Sequence, residues 1–591
     1  MPGVTLLNRC PGASVAATST ALQSDRPTKG KFMLESTMMD YQLTIPSILE
    51  RAIRMHPDQE IVSVIPVGVD PDTKAPVPGV HRTTFGQTYP RVMQLCNALV
   101  AAGVTSGDRV ATMALNTYRH YELYFAAPSV GAVCHMVNIR LPLEQIAYIL
   151  NHAEDRILFI ENVFAGMIPL IRQHAPQVAT IVVLGPVPGG LPAGVIDYET
   201  FIGGHPTTFS YPVIDERQAS GMCYTSGTTG APKGVLYSHR AIVLHSLASL
   251  STDLLGVNSR ETIMPIVPMF HVNGWGYPYT CTMTGAKQVY MSVFTDAKTV
   301  ARIAAEEKVT VCAGVPTIFL GLLDELDRAK AAGAPHQLPH LRTLLIGGSA
   351  TPRALIAAYG DRHGLHVKPA WGMTETTPLG TVNPVQPDDF PDDRQRKYDR
   401  MVYSGRMSPL VELRLENDEG NEMPWGTGES GHLLIRGPWI TGSYYQNELA
   451  TAATQRNGWF DTGDIATIDA DGTMMIHDRA KDLIKSGGEW ISSVDLENEL
   501  MGHPAVREAA VIAVPHPKWD ERPLGVIVLR DPTTPVSKEE FDRYLLERAV
   551  AKWQLPDAYE FIDEIPKTTV GKFLKRALRE RFRDYTLPIG E

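Results

Sequence analysis

The sequence has few cysteines, no long apolar run and a deficit of positive charge, and each shortage excludes a class of protein. Its six cysteines among 591 residues lack CxxC spacing, which favours reduced thiols in a cytoplasmic protein over disulfides or structural zinc. No apolar run reaches the roughly 18 residues of a membrane span, so any membrane contact would be peripheral. The net charge of -11 argues against a nucleic-acid partner.

The chain is longer than one hydrophobic core normally supports, so we expect two or more domains. Helical periodicity over 45–53 and 92–99 flanks a Pro/Gly/Asp-rich segment, 67–79, that predicts a hairpin loop. Strand-like apolar runs then alternate with helical patterns, which predicts parallel sheets covered by helices. These runs are 110–114, 157–160, 180–184 and 344–346.

The pattern of predicted secondary structure changes towards the C-terminus. Short strands begin near Val411, and Asp471-Gly472 predicts the turn of a hairpin over 465–476. Beyond Asp482 we expect a separate α+β domain with a helix over 494–501, strands over 510–514 and 524–529, and a helix opened by the capping box Ser537–Glu540.

Residues 1–35 differ from the rest in being rich in Ser, Thr, Ala and Pro. A transit peptide, a disordered tail and an upstream start codon before Met33 are all open interpretations. The segment is weakly basic and lacks an amphipathic repeat, so we expect a disordered extension or an upstream start.

A Gly/Thr-rich segment is the clearest sign of a binding site. Residues 225–230 combine hydroxyl side chains with flexible glycines, whose amides and hydroxyls can surround phosphate oxygens. Apolar residues 222–224 lead in as a strand, and Ser238 can cap a helix with a stripe of Val243, Leu247, Leu250 and Leu254, which predicts a strand-loop-helix site. The loop is not that of nucleoside triphosphatases, because Pro232 precedes Lys233 and a glycine follows it.

Seven segments, taken in order, resemble the acyl-adenylate-forming superfamily, which includes acyl-CoA synthetases, peptide-synthetase adenylation domains and beetle luciferases. The likeness covers about residues 36–585 and is strongest to bacterial long- and medium-chain fatty acyl-CoA synthetases, which share the run 485–492. The segments are 224–234, 268–271, 347–350, 371–375, 460–464, 478–488 and 566–572.

This resemblance implies an α/β fold with a large N-terminal domain over 36–480 and a small mobile α+β domain over 481–591. The large domain would contain two doubly wound α/β subdomains and a β-rich subdomain. Lys481 matches the hinge about which the small domain turns between two half-reactions.

The resemblance also implies ATP and Mg²⁺ as cofactors and CoA as co-substrate. Glu375 supplies a hard oxygen for Mg²⁺ and Thr225 a second, while Asp464 suits the hydroxyls of a ribose with Arg479 beside it. An ordinary hairpin ion pair is the alternative reading of Asp464. The other nucleotide contacts implied are Ser226, Gly227, Thr228, Thr229, Gly230, Lys233, Val272, Gly348, Ser349, Ala350, Trp371, Gly372, Met373 and Thr374.

Three implied roles concern chemistry and access. His271 would donate a hydrogen bond beside the α-phosphate or the acyl carboxylate, and Lys572 would bridge the α-phosphate and the attacking carboxylate. Trp275 would gate a tunnel for the acyl chain. Without the resemblance, the default readings are a core histidine, a solvated basic tail and a core tryptophan. After rotation about Lys481, the CoA arm would approach a loop containing Lys485, Gly487, Gly488 and Trp490.

The reaction implied is carboxylate plus MgATP to acyl-AMP and pyrophosphate, followed by attack of CoA to give acyl-CoA and AMP. The acid stays open between a medium- or long-chain fatty acid and a small acid such as methylthiopropionate. Adenylation for a carrier protein or for light emission is a further alternative, although no Asp-Ser pair offers a phosphopantetheine attachment. A non-catalytic relative is disfavoured because the chain keeps all of Thr225, Glu375, Asp464, Lys481 and Lys572. A serine hydrolase is disfavoured because the motif Gly-x-Ser-x-Gly is absent from the sequence. A homodimer is suggested only by the related synthetases.

Overall fold

The computed structural model describes residues 36–187, 189–225, 231–534, 536–548, 550–568 and 571–587. Residues 1–41 and 42–591 form two separate units. The described part of the first unit, 36–41, contains no helix or strand, and the predicted extension 1–35 lies outside the described residues. Every helix and strand described belongs to the second unit.

The strands are β1 Glu60–Val69, β2 Pro76–Thr84, β3 Arg109–Met113, β4 Val133–Met136, β5 Ile157–Glu161, β6 Thr180–Leu184, β7 Ile196–Asp197, β8 Ala219–Tyr224, β9 Gly234–Ser238, β10 Thr262–Pro265, β11 Lys287–Tyr290, β12 Val311–Gly314, β13 Thr343–Ile346, β14 His366–Gly372, β15 Leu379–Val382, β16 Gly405–Met407, β17 Glu412–Glu416, β18 Glu422–Met423, β19 Gly431–Arg436, β20 Gln455–Arg456, β21 Trp459–Ile468, β22 Thr473–Arg479, β23 Ile484–Ser486, β24 Glu489–Ile491, β25 Val506–His516, β26 Asp520–Leu529 and β27 Ala558–Phe561.

The α-helices are α1 Ile45–Met55, α2 Phe85–Ala101, α3 Tyr118–Ser129, α4 Leu143–His152, α5 Ile168–His174, α6 Tyr198–Ile202, α7 His239–Ser249, α8 Tyr277–Thr284, α9 Ala297–Glu306, α10 Pro316–Ala331, α11 Arg353–Ala358, α12 Arg394–Met401, α13 Glu448–Thr454, α14 Ser493–Leu500, α15 Lys538–Leu546 and α16 Lys575–Arg581. Short 3₁₀ turns are Asn162–Met167, Val272–Gly276, Thr374–Thr376 and Lys552–Gln554, and Tyr359–His363 is a π-helical turn.

The first sheet has the strand order β7-β6-β5-β3-β4-β8-β9 and is parallel except for β9. All residues of β4 and β5 are buried, which is why these strands are continuous apolar runs in the sequence rather than alternating ones. The predicted strands over 110–114, 157–160 and 180–184 are therefore confirmed within a residue or two.

The second sheet joins a parallel half to an antiparallel half. Strands β1, β11, β10, β12, β13 and β14 are parallel, and β14 then pairs antiparallel with β15, where the β-rich part begins. The predicted hairpin over 465–476 is confirmed as β21 and β22, with Gly472 in a left-handed conformation at the turn. The loop expected over 67–79 is shorter, since β1 and β2 extend into it from both sides.

The third sheet, β24-β23-β26-β25 with β27 beside β26, forms the C-terminal α+β part with α14, α15 and α16. The side chain of Ser537 accepts a hydrogen bond from the amide of Glu540, as the capping box predicts. Within the described residues, no helix is long and apolar enough to cross a membrane. The five cysteines described are free thiols, and all are buried.

Candidate active site

A cavity of about 1070 Å³ brings together motif residues that lie hundreds of positions apart in the sequence. It is lined by segments from the carboxyl ends of several parallel strands, by the β21–β22 hairpin and by the turn before α16. The predicted site residues on its wall are Thr225, Lys233, His271, Val272, Trp275, Gly348, Ser349, Ala350, Trp371, Gly372, Met373, Thr374, Glu375, Asp464, Arg479, Lys481 and Lys572.

Nine predicted site residues remain, of which five are not described and four lie elsewhere in the structure. Ser226, Gly227, Thr228, Thr229 and Gly230 lie outside the described residues. The other four, Lys485, Gly487, Gly488 and Trp490, form the exposed β23–β24 hairpin, where the Lys485 ammonium lies 4.9 Å from the centre of the Trp490 ring. Their contact with a nucleotide after domain rotation stays a prediction. In the described arrangement Lys572, not this hairpin, enters the cavity.

The base of the predicted phosphate loop is held by two hydrogen bonds between Thr225 and Lys233. The Thr225 amide donates to the Lys233 carbonyl at 2.9 Å, and the Lys233 amide donates to Thr225 Oγ1 at 3.2 Å. Beyond them, β8 and β9 pair antiparallel from Tyr224 and Gly234. The loop is therefore of the strand-loop-strand kind, and the predicted strand-loop-helix order is wrong, because 234–238 completes the edge of the sheet before α7 begins.

The helix that follows is capped as predicted, but its buried face differs. Ser238 Oγ accepts from the Ala241 amide at 3.1 Å. Val243 is buried, whereas Leu247 of the predicted stripe is 47% exposed. The buried face of α7 instead includes His245 and Ser246, because the helix packs on α8 rather than only on the sheet.

Asp464 and Arg479 are opposite each other on β21 and β22. Arg479 Nε lies 2.8 Å from Asp464 Oδ1, and the Trp371 indole donates to Oδ2 at 3.1 Å. Burial raises the pKa of Asp464, and the opposing charges of Arg479 and Lys572 counteract part of that effect. The ion pair of the alternative reading thus exists, but it faces a cavity rather than solvent, and each carboxylate oxygen has lone pairs left for a hydroxyl donor.

Glu375 is buried, and one of its oxygens is held in place by a residue that the motif does not contain. The hydroxyl of Tyr444 donates to Glu375 Oε1 at 2.7 Å. The face of the same ring receives the Lys233 ammonium, 4.4 Å from its centre. Tyr444 therefore connects the phosphate loop to the acidic residue, and no local sequence signal marks it.

Lys572 is presented by a tight turn. The amide of Thr568 donates to the Lys572 carbonyl at 2.6 Å, and the Lys572 amide donates to Thr568 Oγ1 at 3.1 Å. Its Cε lies 3.4 Å from the position that a Cβ on Gly348 would take. Burial lowers the pKa of Lys572 to about 8, with Arg479 acting in the same direction and Asp464 and Glu375 against it.

His271 is kept neutral at physiological pH. Burial, together with the charges of Lys572 and Arg140, lowers the pKa of His271 to about 3. A neutral imidazole has one N–H donor, which is what hydrogen bonding to a developing negative charge requires. The core-histidine reading accounts for the burial but not for the position beside Lys572.

Trp275 ends an unusual left-handed turn. Val272, Asn273, Gly274 and Trp275 have φ values of 48°, 55°, 56° and 55°, a conformation that costs about 1 kcal/mol or more at each non-glycine residue. The turn directs the indole against Gly347, where an added Cβ would be 3.1 Å from Trp275 Cη2. The apolar residues Leu255, Leu345 and Ala370 belong to the same hydrophobic cluster as Trp275 and line the cavity with it. Trp275 therefore lies between Gly347 and the apolar part of the cavity wall.

Lys481 is an exposed residue of the segment that joins the hairpin to the C-terminal part. Partial desolvation of the ammonium lowers the pKa of Lys481, Asp482 opposes this, and three arginines (Arg479, Arg576 and Arg579) add to the lowering. Just before it, Asp478 Oδ2 accepts a hydrogen bond from the Ser493 amide at 2.8 Å. Ser493 therefore joins the C-terminal part to β22, and within that part Lys575 donates a hydrogen bond to the hydroxyl of the same serine.

A two-part α/β fold with two buried carboxylates and a lysine on the wall of one cavity agrees with the adenylate-forming class that the sequence motifs predict. The AMP-binding enzyme family matches residues 49–445, and the AMP-binding enzyme C-terminal domain matches residues 495–572. The chain belongs to the AMP-binding enzyme family. The resemblance drawn from the sequence, and the fold with a large N-terminal and a small C-terminal domain, are confirmed.

Known proteins similar to this chain cover nearly all of it. A long-chain-fatty-acid--CoA ligase of Thermus thermophilus is 47% identical over 93% of this chain and 97% of its own length. A medium-chain-fatty-acid--CoA ligase of Ectopseudomonas oleovorans and a 3-methylmercaptopropionyl-CoA ligase of Ruegeria lacuscaerulensis are each 42% identical, over 93% of this chain and 98% of theirs. Among solved structures, the anthranilate CoA ligase AuaEII in complex with anthranoyl-AMP has a TM-score of 0.80 at 27% identity, covering 91% of this chain and 97% of that one. ATP-bound MatB from Rhodopseudomonas palustris has a TM-score of 0.76 at 26% identity, covering 91% and 99%.

Proposed function

We propose that the protein is an AMP-forming acyl-CoA synthetase that activates a medium- or long-chain fatty acid with MgATP and transfers the acyl group to CoA. The observation that carries this proposal is the meeting of Lys572, Asp464 and Glu375 in one cavity that Trp275, Leu255 and Leu345 also line. The charged part of its wall could hold a nucleotide and the apolar part an alkyl chain. The long- and medium-chain relatives support the choice of acid.

In the first half-reaction the acid's carboxylate attacks the α-phosphorus of ATP, and pyrophosphate leaves. Two anions must approach each other, so the barrier is largely electrostatic. Lys572 supplies a positive charge between them, and its entry into the cavity fits this step. His271 donates a hydrogen bond to the developing negative charge. Because its imidazole is neutral, it does not repel the Lys572 ammonium.

The nucleotide would be held at three places. The lone pairs of Asp464 accept hydrogen bonds from ribose hydroxyls, with Arg479 fixing the carboxylate. The backbone of 348–350 and 371–374 borders the adenine. Lys233 and the predicted loop 226–230 would contact the phosphates, and these contacts would be lost when pyrophosphate leaves.

The residues present fit a magnesium ion bound together with ATP. Glu375 offers a buried carboxylate fixed by Tyr444, and Thr225 offers a hydroxyl on the same cavity wall. The described residues contain no cluster of three or more acidic, histidine or cysteine ligands, which agrees with a Mg²⁺ that takes most of its ligands from phosphate and water. Bound there, the ion would neutralise phosphate charge.

In the second half-reaction the CoA sulfur attacks the acyl carbon and AMP leaves. Lys572 has no part in this step, and rotation about Lys481 would withdraw it and bring in the glycines of the β23–β24 hairpin. Gly488 has a φ of 94° and no atom within 4 Å of its Cβ position, so a narrow pantetheine arm could approach the backbone there, whereas the Trp519 ring packs against Gly487.

A second candidate acid has a specific observation in its favour. The Ruegeria relatives named 3-methylmercaptopropionyl-CoA ligase are as similar to this chain as the medium-chain ligase is. A scan of acid-dependent pyrophosphate release over straight-chain acids from about two to eighteen carbons, with 3-methylthiopropionate included, separates the two. We expect an optimum at eight carbons or more and AMP release that requires CoA. An optimum at the small acids contradicts the fatty-acid assignment, and AMP release independent of CoA contradicts the ligase.

A further inference from the structure

The segment 266–270 leads from the end of β10 to His271 and contains neither helix nor strand. Val267 and Met269 are buried, and Val267 lines the cavity together with His271. Buried backbone N–H and C=O groups need hydrogen-bond partners, and here no helix or strand supplies them. One side chain from a distant part of the sequence binds three of these groups.

That side chain belongs to Asn116, which lies three residues beyond the end of β3. Its Nδ2 donates to the carbonyl of Pro265 at 3.2 Å and to that of Val267 at 2.8 Å. Its Oδ1 accepts a hydrogen bond from the Met269 amide at 2.7 Å. Two carbonyls at one atom and an N–H at the other fix the orientation of the Asn116 amide. The backbone of Asn116 is held as well, since its carbonyl accepts from the Ser292 amide at 3.2 Å.

A second side chain holds the same segment from α3. The Tyr124 hydroxyl donates to the Met269 carbonyl, so side chains bind both backbone polar groups of Met269. Two residues further on, the His271 amide donates to the Pro268 carbonyl at 3.0 Å, and the Gly274 amide donates to the His271 carbonyl at 3.1 Å. The backbone position of His271 therefore depends on the hydrogen bonds made at Met269.

The three contacts of Asn116 require an asparagine. An aspartate would place an acceptor against two carbonyls, and an alanine would leave all three backbone groups without a partner. Asn116 is buried and does not itself line the cavity. Any effect of this residue on the reaction must therefore pass through the segment that it holds.

We propose that Asn116 and Tyr124 are positioning residues for His271, which they hold where its imidazole meets the negative charge that develops during adenylation. This inference rests on the proposed function, in which His271 donates a hydrogen bond to that charge. Such a contact depends on geometry, and a misplacement of about 1 Å can cost about 100-fold in rate. Asn116 follows a strand of the first sheet and Pro265 ends a strand of the second, so the position of His271 depends on how the two sheets are joined.

The test is a double-mutant cycle on acid-dependent pyrophosphate release by the purified full-length protein, followed in single turnovers so that low rates stay measurable. Asn116→Ala should lower the rate about 100-fold, while the affinity for ATP, measured by titration, stays within a few-fold. In a His271→Ala background the same substitution should lower the rate by no more than about twofold, because its effect passes through the histidine.

Asn97→Ala is the matched control. The Asn97 side chain also donates to backbone carbonyls, those of Met93, Pro206 and Thr208, and none of these four residues lines the cavity. The control variant should release pyrophosphate at the normal rate. Thermal unfolding of every variant checks that it is folded.

Two further variants decide the outcome if Asn116→Ala does not fold. Asn116→Asp keeps the acceptor for the Met269 amide and loses both donors, whereas Tyr124→Phe loses only its hydroxyl. Each should slow pyrophosphate release about tenfold or more, and again not in the His271→Ala background.

A normal rate in the folded variants overturns the positioning role, and so does a loss of the same size in the His271→Ala background. An equal loss of ATP affinity overturns it too, because that would indicate a general distortion of the cavity. If His271→Ala alone keeps the normal rate, the role of His271 in the proposed function fails. If the unaltered protein releases no pyrophosphate with any acid, the proposed function itself fails.

Discussion

Arg479 Nε lies 2.8 Å from the Oδ1 atom of Asp464, across a hairpin whose two strands end at the cavity. Because the Trp371 indole holds the other oxygen, both oxygens of the Asp464 carboxylate have a fixed position. In the proposed function this ion pair would position the ribose as well as join the two strands.

Asp464→Ala should therefore weaken ATP binding about tenfold or more, the effect of losing a charge-assisted hydrogen bond, and should abolish the preference for ATP over 2′-deoxyATP. Nucleotide titration of each protein measures both. Asp471→Ala is the control, because Asp471 pairs with Arg400 and Arg406 at the far end of the same hairpin. A variant at 464 that still discriminates the two nucleotides would contradict the ribose assignment.

The rate of adenylation should fall as the pH rises through about 8. Lys572 must be protonated to act, and its pKa is lowered to about 8 in the empty cavity, so the ammonium is present below that pH and lost above it. The fall should appear in kcat/KM for ATP, and at higher pH in kcat, because bound phosphate favours the charged form. Lys572→Arg should remove the fall from whatever activity it keeps. An unperturbed lysine would show no decline before about pH 10.

Residues of the cavity wall could be predicted from the sequence where they belong to a contiguous motif. They could not be predicted where tertiary packing alone brings them to the cavity. Asp464, Glu375 and Lys572 lie in short motifs that can be recognised in the sequence without knowledge of the fold. Tyr444 and His245 reach the cavity only through tertiary contacts. The strand β9 was not predicted, because it has only five residues and α7 follows it directly. The alternation of buried strands and helices, by contrast, is repeated along the chain and gives the α/β class reliably.

Tyr444→Phe should raise the Mg²⁺ concentration for half-maximal pyrophosphate release about 10- to 100-fold. The phenol holds one oxygen of Glu375, and loss of such an outer partner loosens the ligand without removing it. The ring stays, so its contact with the Lys233 ammonium is kept. Tyr445→Phe, at the next residue, should leave the Mg²⁺ dependence unchanged, since Tyr445 accepts a hydrogen bond from Gln446 and does not line the cavity. Equal behaviour of the two variants would contradict the role of Tyr444 in positioning the Mg²⁺ ligand.

Lys481→Pro should leave adenylation within a few-fold of its normal rate and stall thioester formation. Proline fixes φ and so removes the freedom that rotation of the C-terminal part requires. Lys481→Ala, which shortens the side chain and leaves the backbone free, is the control for loss of the ammonium. Single-turnover measurements of each half-reaction separate the effects, and survival of both half-reactions in the proline variant would contradict a hinge at this residue.

The role of Lys572 is tested most directly by measuring the two half-reactions separately in Lys572→Ala. Removing one electrostatic donor of this kind costs about 10²–10³ in rate, so acid-dependent pyrophosphate release should fall by at least that factor. Conversion of supplied acyl-AMP and CoA to acyl-CoA should stay within a few-fold of normal, because the lysine has left the cavity by then. Equal loss of both half-reactions, or undiminished pyrophosphate release, would contradict the account.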